Sequence, residues 1–380
     1  MKVVAKFGGS CITAQNLDKV RTVVKANPYI KYAVVSAVGK VAAADKKTTD
    51  LLIACHQKGD KKILEEIVGA HLEIKEKFGL SCDIEKIIRR SLRFRTSYAR
   101  TVSRGEFFAG VMVSELLGWR LIDTQNLVKF DLRGSLDTEK SSRLLAKALG
   151  EGQNAVVTGF YGSNPLGKTV TFSRGGSDIT GSLIADAADA MLYENWTDVD
   201  GFLIANPSKV FNPRPIECIS YSQLSGLNRI GADVLHPFTV LPLIKKSIPL
   251  HIRNIYNPLS AGTLVTQTAN KSGLLAITSF EAHYSEYDKT VPQSIFPSAK
   301  FFNADTSTRV LTQTMPENGL KPKISARAEY IQAVFYGKID LDAVAALLKN
   351  VYYIGQTANT LSVIAAPQPD AVQKIYDYFM

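Results

Sequence analysis

Two short apolar runs, joined by a glycine turn and an amphipathic segment, constrain the fold of this chain more than any other feature. Val3 to Phe7 and Tyr32 to Val38 predict buried strands, and Asn16 to Ala26 predicts the helix between them. Such a crossover is right-handed and sets the two strands parallel, in a sheet that helices cover on both faces. Ligands of these sheets bind beyond the carboxyl ends of the strands, where Gly8-Gly9-Ser10 and the turn from Ser36 to Gly39 both lie.

A second constraint is the stretch from Phe172 to Gly201, which has the pattern of a glycine-rich turn, a helix, a strand and a Thr-Asp-x-x-Gly turn. Ser177 and Asp178 are predicted to cap the helix, because apolar positions follow them at helical spacing. Gly175 and Gly176 would then lie at its positive end, where unpaired backbone N–H groups and the helix dipole favour an anion.

Charged side chains of opposite sign flank that glycine pair. Arg174 can bind a carboxylate or a phosphate through two parallel hydrogen bonds, and Asp178 can accept from a cation or orient one. The alternative interpretation is a capped surface helix with a solvated ion pair.

The composition is that of a globular protein with ample apolar material for a core, since 46% of the 380 residues are hydrophobic and 21% are charged. No apolar run approaches the ~20 residues that span a bilayer, and MKVVAKFGGS lacks the apolar core of a signal peptide. We therefore predict a cytoplasmic protein. The four cysteines are widely spaced without a CxxC pair, which indicates neither a zinc site nor a disulfide framework.

The net charge of +10 is spread along the chain rather than gathered into a stripe with interleaved aromatic residues. This distribution disfavours nucleic acid as a partner. The densest basic patch, from Arg89 to Arg100, falls in a helical segment and is predicted to be a solvated face. Attraction of anionic substrates such as nucleotides is a sufficient use of the charge.

One octapeptide, from Gly162 to Thr169, fits the phosphate-loop pattern GxxxxGK[ST] letter for letter. A phosphate loop must pass from a strand into a helix whose N-terminus faces the phosphates. Here strand-forming residues follow Lys168, and Asn164-Pro165 with Gly167 are typical of a hairpin tip. A hairpin is therefore the predicted structure.

The alternating pattern of strands and helices ends near Thr266, and a polar stretch from Gln267 to Gly273 follows it. We predict a first domain over residues 1–266 and a second over residues 273–380. In the second, five elements from residue 330 to 379 have the order β-α-β-β-α, which is most of a ferredoxin-like unit. The predicted fold class is α/β, a mostly parallel open sheet with helices on both faces, followed by an α+β ferredoxin-like domain.

Four motifs in order carry a family resemblance: KFGGS at residues 6–10, SRGE at 103–106, FSRGGSD at 172–178 and WTDVDGF at 196–202. A lysine that leaves a strand into a glycine turn can neutralise charge on a transferred phosphoryl group, and glycines let backbone N–H groups approach phosphate oxygens. Together the motifs resemble the aspartate kinases of the amino-acid kinase superfamily, over residues 1–266 and nearest to the monofunctional bacterial enzymes.

The resemblance implies a role for each residue of these motifs. Lys6 would contact the ATP phosphates, and Asp178 would organise the reacting groups, so that these two form the catalytic pair. Glu106 would bind the substrate ammonium and Arg174 its carboxylate. The other residues implied at the aspartate site are Ser36, Thr49, Gly175, Gly176 and Ser177. The other residues implied at the nucleotide site are Phe7, Gly8, Gly9, Ser10, Thr197, Asp198, Leu203, Ser208, Lys209 and Asp233.

The family's reaction is attack of the aspartate β-carboxylate on the γ-phosphate of ATP, which gives 4-phospho-L-aspartate in the route to lysine, threonine and methionine. A carboxylate with a reference pKa of ~3.9 is ionised at neutral pH, so that no general base is needed. Positioning and positive charge from Lys6, bound Mg²⁺ and helix N-termini suffice. The resemblance thus implies ATP and Mg²⁺, with no protein ligand assigned to the metal.

Two positions depart from the pattern of many family members. The run from Asn206 to Lys209 replaces an Asp-Pro-Arg that contacts nucleotide phosphates in relatives, and Asp233 stands where many of them carry a lysine. Lys209 can replace the arginine charge from one residue later, whereas Asp233 has no evident compensation. These departures bear on nucleotide affinity rather than on reaction type.

The tail is short for the two ACT regulatory domains of that family, which together take ~150 residues. Residues 273–380 hold one near-complete unit and strands of a reduced one. The resemblance implies a homodimer or higher homo-oligomer and inhibition by lysine or threonine, with feedback control altered or absent.

Two other functions stay open. A superfamily relative could phosphorylate another amino-acid carboxylate, such as glutamate, in a specialised pathway; Glu106 with Arg174 favours an α-amino acid over carbamate or a nucleotide monophosphate. A ligand-sensing protein could keep the fold without catalysis, but intact Lys6, Arg174 and Asp178 argue against it.

Overall fold

The computed structural model describes residues 1–41, 46–93, 96–150, 153–173, 175–229, 235, 237–269, 273–288, 291, 294, 299–304, 307–313 and 321–380. The chain divides into two compact units. The first consists of Met1–Phe202, Glu217–Ser222 and Val234–Ala269, and the second of Leu203–Ile216, Gln223–Asp233 and Asn270–Met380. The second unit thus includes two segments that lie within the predicted first domain, and the assignment of a catalytic and a regulatory domain stays a prediction.

The strands up to residue 266 are β1 (Val3–Phe7), β2 (Ile30–Val35), β3 (Lys40–Val41), β4 (Lys46–Lys47), β5 (Arg120–Ile122), β6 (Ala155–Thr158), β7 (Tyr161–Ser163), β8 (Thr169–Thr171), β9 (Leu192–Thr197), β10 (Phe202–Leu203), β11 (Pro215–Ile216), β12 (Cys218–Ser220), β13 (Leu250–Asn254) and β14 (Thr263–Thr266). Eight of them form the central sheet of the first unit, in the order β12-β14-β13-β9-β1-β2-β6-β5. Only the pair of β13 with β14 is antiparallel in this sheet. The predicted mostly parallel open sheet is confirmed.

The helices of this part are α1 (Leu17–Ala26), α2 (Thr48–Lys58), α3 (Lys61–Phe78), α4 (Ile84–Leu92), α5 (Tyr98–Val102), α6 (Arg104–Leu117), α7 (Thr138–Leu149), α8 (Gly176–Ala187), α9 (Tyr221–Arg229) and α10 (Pro237–Lys245). Successive side chains of β1 point to opposite faces of the sheet, so that this strand contributes buried side chains to both faces. Val3, Ala5 and Phe7 share one apolar cluster with Leu17 and Phe108. Helix α8 packs on β1, β2 and β9. The side chain of Lys6 points to the opposite face from those of Ala5 and Phe7 and contacts Asp178 of this helix.

The octapeptide with the phosphate-loop pattern is a hairpin, as predicted. Strands β7 and β8 pair antiparallel from Tyr161↔Thr171 to Ser163↔Thr169. At the tip, the backbone N–H of Gly167 donates to the carbonyl of Asn164 over 2.9 Å, and Gly167 adopts a φ of 74°. Because β8 rather than a helix follows Lys168, this segment is no phosphate loop.

The second unit holds β15 (Gly273–Tyr287), β16 (Lys300–Ala304), β17 (Ser307–Thr312), β18 (Ile324–Tyr336), α11 (Leu341–Ala346), β19 (Val351–Thr357), β20 (Thr360–Ala365) and α12 (Ala371–Phe379). Its sheet is antiparallel with the order β16-β17-β15-β18-β20-β19. The predicted order β-α-β-β-α recurs from β18 to α12. Strand β15 pairs with β18 along almost its whole length, so that the strands before residue 313 extend this sheet rather than standing apart. Within the described residues, no helix is both long and apolar enough to cross a membrane.

Candidate active site

A cavity of about 690 Å³ opens at the carboxyl ends of β1, β2 and β9. Parallel pairing brings these three ends to one edge of the sheet, which is where ligands of such sheets bind. The lining residues are Lys6, Gly8, Gly9, Ser10, Thr13, Gln15, Asn16, Ser36, Ala37, Val38, Gly39, Lys40, Lys47, Thr49, Glu106, Thr197, Asp198 and Tyr256. The cavity therefore brings together nine of the predicted site residues, seven of them from three separate motifs, together with Ser36 and Thr49.

Lys6 and Asp178 form an ion pair beside this cavity. The Lys6 Nζ lies 2.6 Å from the Asp178 Oδ1, and only 9% of the lysine side chain is exposed. Asn195 donates from Nδ2 to the same Oδ1 over 3.0 Å. Asn195 is the register partner of Lys6 in the neighbouring strand, which explains why both side chains reach α8 from the same face. The two residues predicted as the catalytic pair are thus in contact with each other, and the sequence did not predict Asn195, which contacts the same carboxylate.

Helix α8 begins at Gly176, before both of the residues that were predicted to cap it. Gly175 precedes it with a φ of 59°, a left-handed conformation that glycine adopts at little cost. The prediction that Ser177 and Asp178 cap this helix is wrong, because both lie in its first turn. The carboxylate of Asp178 binds Lys6 and Asn195 instead of a backbone N–H group.

Glu106 occupies the third position of α6, just after the turn that begins with Ser103. The residue is 5% exposed, it lines the cavity, and its Oε2 makes no hydrogen bond with any described residue. Burial raises the pKa of this carboxyl to about 8, although backbone hydrogen bonds from Ala37 and from Glu106 itself, and the nearby charges of Arg104 and Lys6, oppose the rise. A buried carboxyl that lines a cavity and has one oxygen without a hydrogen-bond partner is suited to bind a cation such as an ammonium group.

The glycine turn after β1 is held by contacts that sequence reasoning did not find. The backbone N–H of Gly8 donates to the carbonyl of Trp196 over 3.0 Å. Asn16 donates from Nδ2 both to the carbonyl of Ser10 and to the hydroxyl of Tyr256, each over 2.8 Å. Asn16 was visible in the sequence only as a helix start. Tyr256 stands two residues beyond the end of β13, where the side chains of a parallel sheet converge.

Phe7, predicted at the nucleotide site, points away from the cavity. Its side chain is fully buried and stacks on Trp196 with 6.4 Å between ring centroids. The reason is alternation, since Phe7 follows Lys6 in the same strand and faces the other side of the sheet. Any contact of Phe7 with a nucleotide would therefore involve its backbone alone.

Three other predicted nucleotide residues, Leu203, Ser208 and Lys209, lie in the second unit and do not line the cavity. Lys209 Nζ lies 3.5 Å from the Oε1 of Glu329, a carboxylate on β18 that also accepts from the hydroxyl of Ser279 over 2.7 Å. The charge of Lys209 is thus already paired within that unit. Arg174 and Asp233 lie outside the described residues, and their predicted roles stay predictions.

The amino acid kinase family model matches residues 1–254 of the chain. Aspartokinase 3 of Bacillus subtilis is 33% identical over 297 residues, a match that covers 72% of this chain and 65% of that relative. The chain therefore spans less than two thirds of the length of this relative.

Solved structures of two enzymes resemble the whole chain. The aspartate kinase of Clostridium acetobutylicum, described as an allosteric enzyme, superposes with a TM-score of 0.89 at 28% identity and full coverage of both chains. Aspartokinase III of E. coli, solved with aspartate and ADP and also with lysine and aspartate, superposes with a TM-score of 0.77 at 22% identity, over 99% or more of both chains. At that identity the second likeness supports the fold alone. With the parallel sheet, the glycine turn and the site at the strand ends, these matches show that the chain belongs to the amino acid kinase family.

Proposed function

We propose that this protein is an aspartate kinase, which transfers the γ-phosphate of ATP to the β-carboxylate of L-aspartate and forms 4-phospho-L-aspartate and ADP. The observation that carries the proposal is one cavity lined both by Lys6 at a glycine turn and by the buried carboxyl of Glu106, whose Oε2 makes no hydrogen bond with the described residues. A phosphoryl donor needs the first of these groups, and the ammonium of an α-amino acid matches the second. The similarity to aspartate kinases over most of the chain agrees with this pairing.

Glu106 recognises the acceptor in this proposal. An ammonium that enters the cavity supplies the missing partner of the Glu106 Oε2 and stabilises the carboxylate form of that side chain. An acceptor without an ammonium leaves the buried carboxyl unsatisfied, and such a loss costs more than a missing surface contact. Ser36 and Thr49, which line the same cavity, and Arg174 would bind the remaining polar groups of aspartate.

The phosphoryl end needs no proton transfer. An oxygen of the ionised β-carboxylate forms a bond to the γ-phosphorus, the bond from that phosphorus to the bridging oxygen breaks, and ADP leaves with the electron pair. Lys6 and the backbone N–H groups of Gly8, Gly9 and Ser10 would stabilise the charge on the transferred group. Asp178, 2.6 Å from the lysine, keeps the ammonium of Lys6 at the end of β1. The side chains of Thr197 and Asp198, joined by a 3.0 Å hydrogen bond, would meet the nucleotide at the end of β9.

Magnesium would arrive with the nucleotide. Among the described residues no group of three or more His, Cys, Asp or Glu side chains could hold a metal ion. Mg²⁺ in kinase sites is held mainly by substrate phosphates and water, with one or two carboxylates. Asp198, which lines the cavity, fits that modest role. The bound ion would neutralise charge on the β- and γ-phosphates.

We further propose that the second unit is an ACT-like regulatory and dimerisation region. Its elements from β18 to α12 have the order expected of most of a ferredoxin-like unit. An amino acid such as lysine or threonine is the proposed effector. Its effect would be measured by adding each amino acid to the assay described next.

The test is an assay that traps acyl phosphates. The full chain is incubated with MgATP, hydroxylamine and each of a panel of amino acids, and hydroxamate is measured. Aspartate-dependent hydroxamate is expected. Product with glutamate or another amino acid alone would instead indicate a relative with a different acceptor. No product with any acid at micromolar enzyme would contradict both kinase hypotheses and favour a ligand-sensing protein.

A further inference from the structure

Tyr256 lines the cavity but has no role in the steps proposed for Lys6 and Glu106. The residue is 52% exposed, so that a molecule in the cavity can reach its side chain. Its hydroxyl lies 2.8 Å from the Nδ2 of Asn16, and the same Nδ2 lies 2.8 Å from the carbonyl oxygen of Ser10. One amide group thus joins the hydroxyl of Tyr256 to the glycine turn.

The direction of these two hydrogen bonds follows from the atoms that make them. A backbone carbonyl can only accept, so the atom of Asn16 that faces Ser10 is the amide nitrogen. That nitrogen can only donate, and the hydroxyl of Tyr256 therefore accepts from it. The hydroxyl keeps its own hydrogen for another acceptor. With the residues that the structure describes, the Tyr256 hydroxyl makes no second hydrogen bond.

The loop that carries Tyr256 is held against the Thr-Asp-x-x-Gly turn. The backbone N–H of Ile255 donates to the carbonyl of Thr197 over 2.9 Å. Asn254 donates from Nδ2 to the Oδ1 of Asp200 over 3.1 Å. The Oδ1 of Asn254 accepts from the backbone N–H of Tyr256 over 2.8 Å. Contacts to both turns thus position the hydroxyl before a ligand binds.

A lysine adds positive charge at the face of the tyrosine ring. The Nζ of Lys19 lies 4.2 Å from the centroid of the Tyr256 ring. Such a cation is attracted by the π electrons of the ring, and its charge favours an anion at the nearby hydroxyl. Phosphate is the anion expected here, because the cavity includes a glycine turn whose backbone phosphate oxygens can approach.

We propose that the hydroxyl of Tyr256 donates a hydrogen bond to the phosphate chain of the nucleotide, while Asn16 orients the hydroxyl and Lys19 adds positive charge. This inference rests on the proposed phosphoryl transfer, because it assigns a further binding residue to the nucleotide of that reaction. The recognised group is an oxygen of a linear polyphosphate. Binding of adenosine, which lacks phosphate, should not depend on the hydroxyl.

Tyr256→Phe is the sharpest variant, because it removes one oxygen and keeps the ring beside Lys19. Tyr29→Phe is its matched control, since Tyr29 is 49% exposed and absent from the cavity lining. Lys19→Gln tests the same contact without a change of the hydroxyl. Lys25→Gln is the charge-matched control for it, because Lys25 is an exposed lysine in the last turn of the same helix.

The experiment uses calorimetry to measure the affinity of the full-length wild type and of each variant for tripolyphosphate, ATP and adenosine. Thermal denaturation checks the fold. Tyr256→Phe should weaken tripolyphosphate and ATP binding by about tenfold, the lower end of the range for one hydrogen bond to a charged group. Lys19→Gln should weaken both by about two- to threefold. The two controls should match the wild type, and adenosine should bind to all of these proteins alike.

Three results would overturn the inference. If Tyr256→Phe binds tripolyphosphate as tightly as Tyr29→Phe does, the hydroxyl makes no phosphate contact, even in an active kinase. An equal loss of adenosine affinity in Tyr256→Phe would show that the hydroxyl contacts the nucleoside or supports the fold of the site. A wild type that binds neither ATP nor tripolyphosphate would leave the hydroxyl without the proposed acceptor.

Two further comparisons keep the test decisive. Should Tyr256→Phe fail to fold, equal tripolyphosphate affinities of Lys19→Gln and Lys25→Gln would overturn the inference, and a selective loss in Lys19→Gln would support it. Because binding is measured without turnover, the contact and the proposed function are tested separately. Selective loss of tripolyphosphate affinity by Tyr256→Phe, in a chain that yields no hydroxamate, would support the contact and contradict the kinase.

Discussion

The charges of Lys6 and Glu106, which we call the phosphoryl end and the acceptor end of the site after their proposed roles, are balanced in opposite ways. At the phosphoryl end, Lys6 is paired with Asp178 over 2.6 Å, and Asn195 donates to the same carboxylate oxygen. At the other end, Glu106 is buried, and its Oε2 makes no hydrogen bond with the described residues. Burial raises the pKa of Glu106 to about 8. One end is complete without substrate, whereas the other is completed by the substrate.

The difference matches what each end has to do. Charge that develops during phosphoryl transfer is best stabilised by groups that are already in position, because they need no reorganisation at that moment. Selection of an amino acid is best served by a buried group that stays unsatisfied until the right partner enters. Substitutions at the first end should therefore lower turnover, and those at the second should weaken aspartate binding.

The largest effect is expected for Lys6→Met. Loss of this ammonium removes charge stabilisation of the transferred phosphoryl group and leaves Asp178 as an uncompensated negative charge nearby. We expect kcat to fall by about 10²- to 10³-fold, the range for loss of one preorganised electrostatic group. The hydroxamate assay at saturating ATP and aspartate measures it.

The double variant Lys6→Met/Asp178→Asn sharpens this prediction. If the uncompensated carboxylate adds to the loss, the double variant should be more active than Lys6→Met alone. If Lys6→Met keeps full turnover and the wild-type melting temperature, the Lys6–Asp178 ion pair takes no part in catalysis.

Much of this comparison could be anticipated from the sequence, because parallel strands place their carboxyl ends at one edge. That rule brings KFGGS, Ser36 and Thr197-Asp198 together without any knowledge of packing. The pairing of Lys6 with Asp178 needed more, since it depends on how α8 packs on β1. Asn195 was missed because it lies in a run interpreted as a strand, although its register with Lys6 follows from parallel pairing.

Three other features of the site could not be anticipated from the sequence, because each depends on local backbone conformation or on packing. Ser177 and Asp178 are good capping residues, but Gly175 in a left-handed conformation starts the helix before them. Lys209 follows the WTDVDGF motif closely in sequence, but its segment belongs to the second unit, where Glu329 binds it. Burial of Glu106 to the point of raising its pKa depends on the packing of α6 rather than on the motif.

The second largest effect is expected for Glu106→Gln. The amide keeps the shape of the side chain but removes the charge that binds the ammonium. We expect the KM for aspartate to rise by about 10- to 100-fold, the range for one hydrogen bond to a charged group, with little change in the KM for ATP. Steady-state kinetics with each substrate varied in turn measures the KM for aspartate and the KM for ATP separately. An equal rise in both KM values would contradict the assignment of Glu106 to the acceptor.

Aspartate binding should also depend on pH through Glu106. With a pKa of about 8 the free carboxyl is mostly protonated at pH 7. An ammonium favours the ionised form and lowers that pKa, so that binding releases a proton. Affinity should rise by up to about tenfold per pH unit below pH 8 and then level off. The charges of Arg104 and Lys6 also act on this carboxyl and oppose the rise of its pKa.

Calorimetry in buffers of different ionisation enthalpy measures the released proton directly. Glu106→Gln has no proton to release at this position, and its residual aspartate affinity should be flat with pH. Aspartate binding by the wild type without proton release at pH 7 would contradict the prediction that Glu106 is protonated in the free protein and ionises when the ammonium binds.

The smallest effect is expected at Asn195, which acts on the reaction through Asp178. Asn195→Leu removes the hydrogen bond to the Asp178 Oδ1 and lets the carboxylate turn away from its position beside Lys6. We expect kcat to fall by about fivefold, which corresponds to one hydrogen bond, with the KM for aspartate unchanged. Asn195→Asp would instead place a second negative charge near Lys6 and should lower kcat further.

Tyr193→Phe is the control that separates positioning from stability. The hydroxyl of Tyr193 donates to the backbone carbonyl of Asp178 over 3.1 Å from the same strand as Asn195. Its loss should lower the melting temperature as Asn195→Leu does, because both remove one buried hydrogen bond, but it leaves the carboxylate untouched and kcat within about twofold. If the two variants lose kcat in proportion to melting temperature, Asn195 only supports the fold. If only Asn195→Leu loses turnover, the phosphoryl end depends on three groups rather than on two.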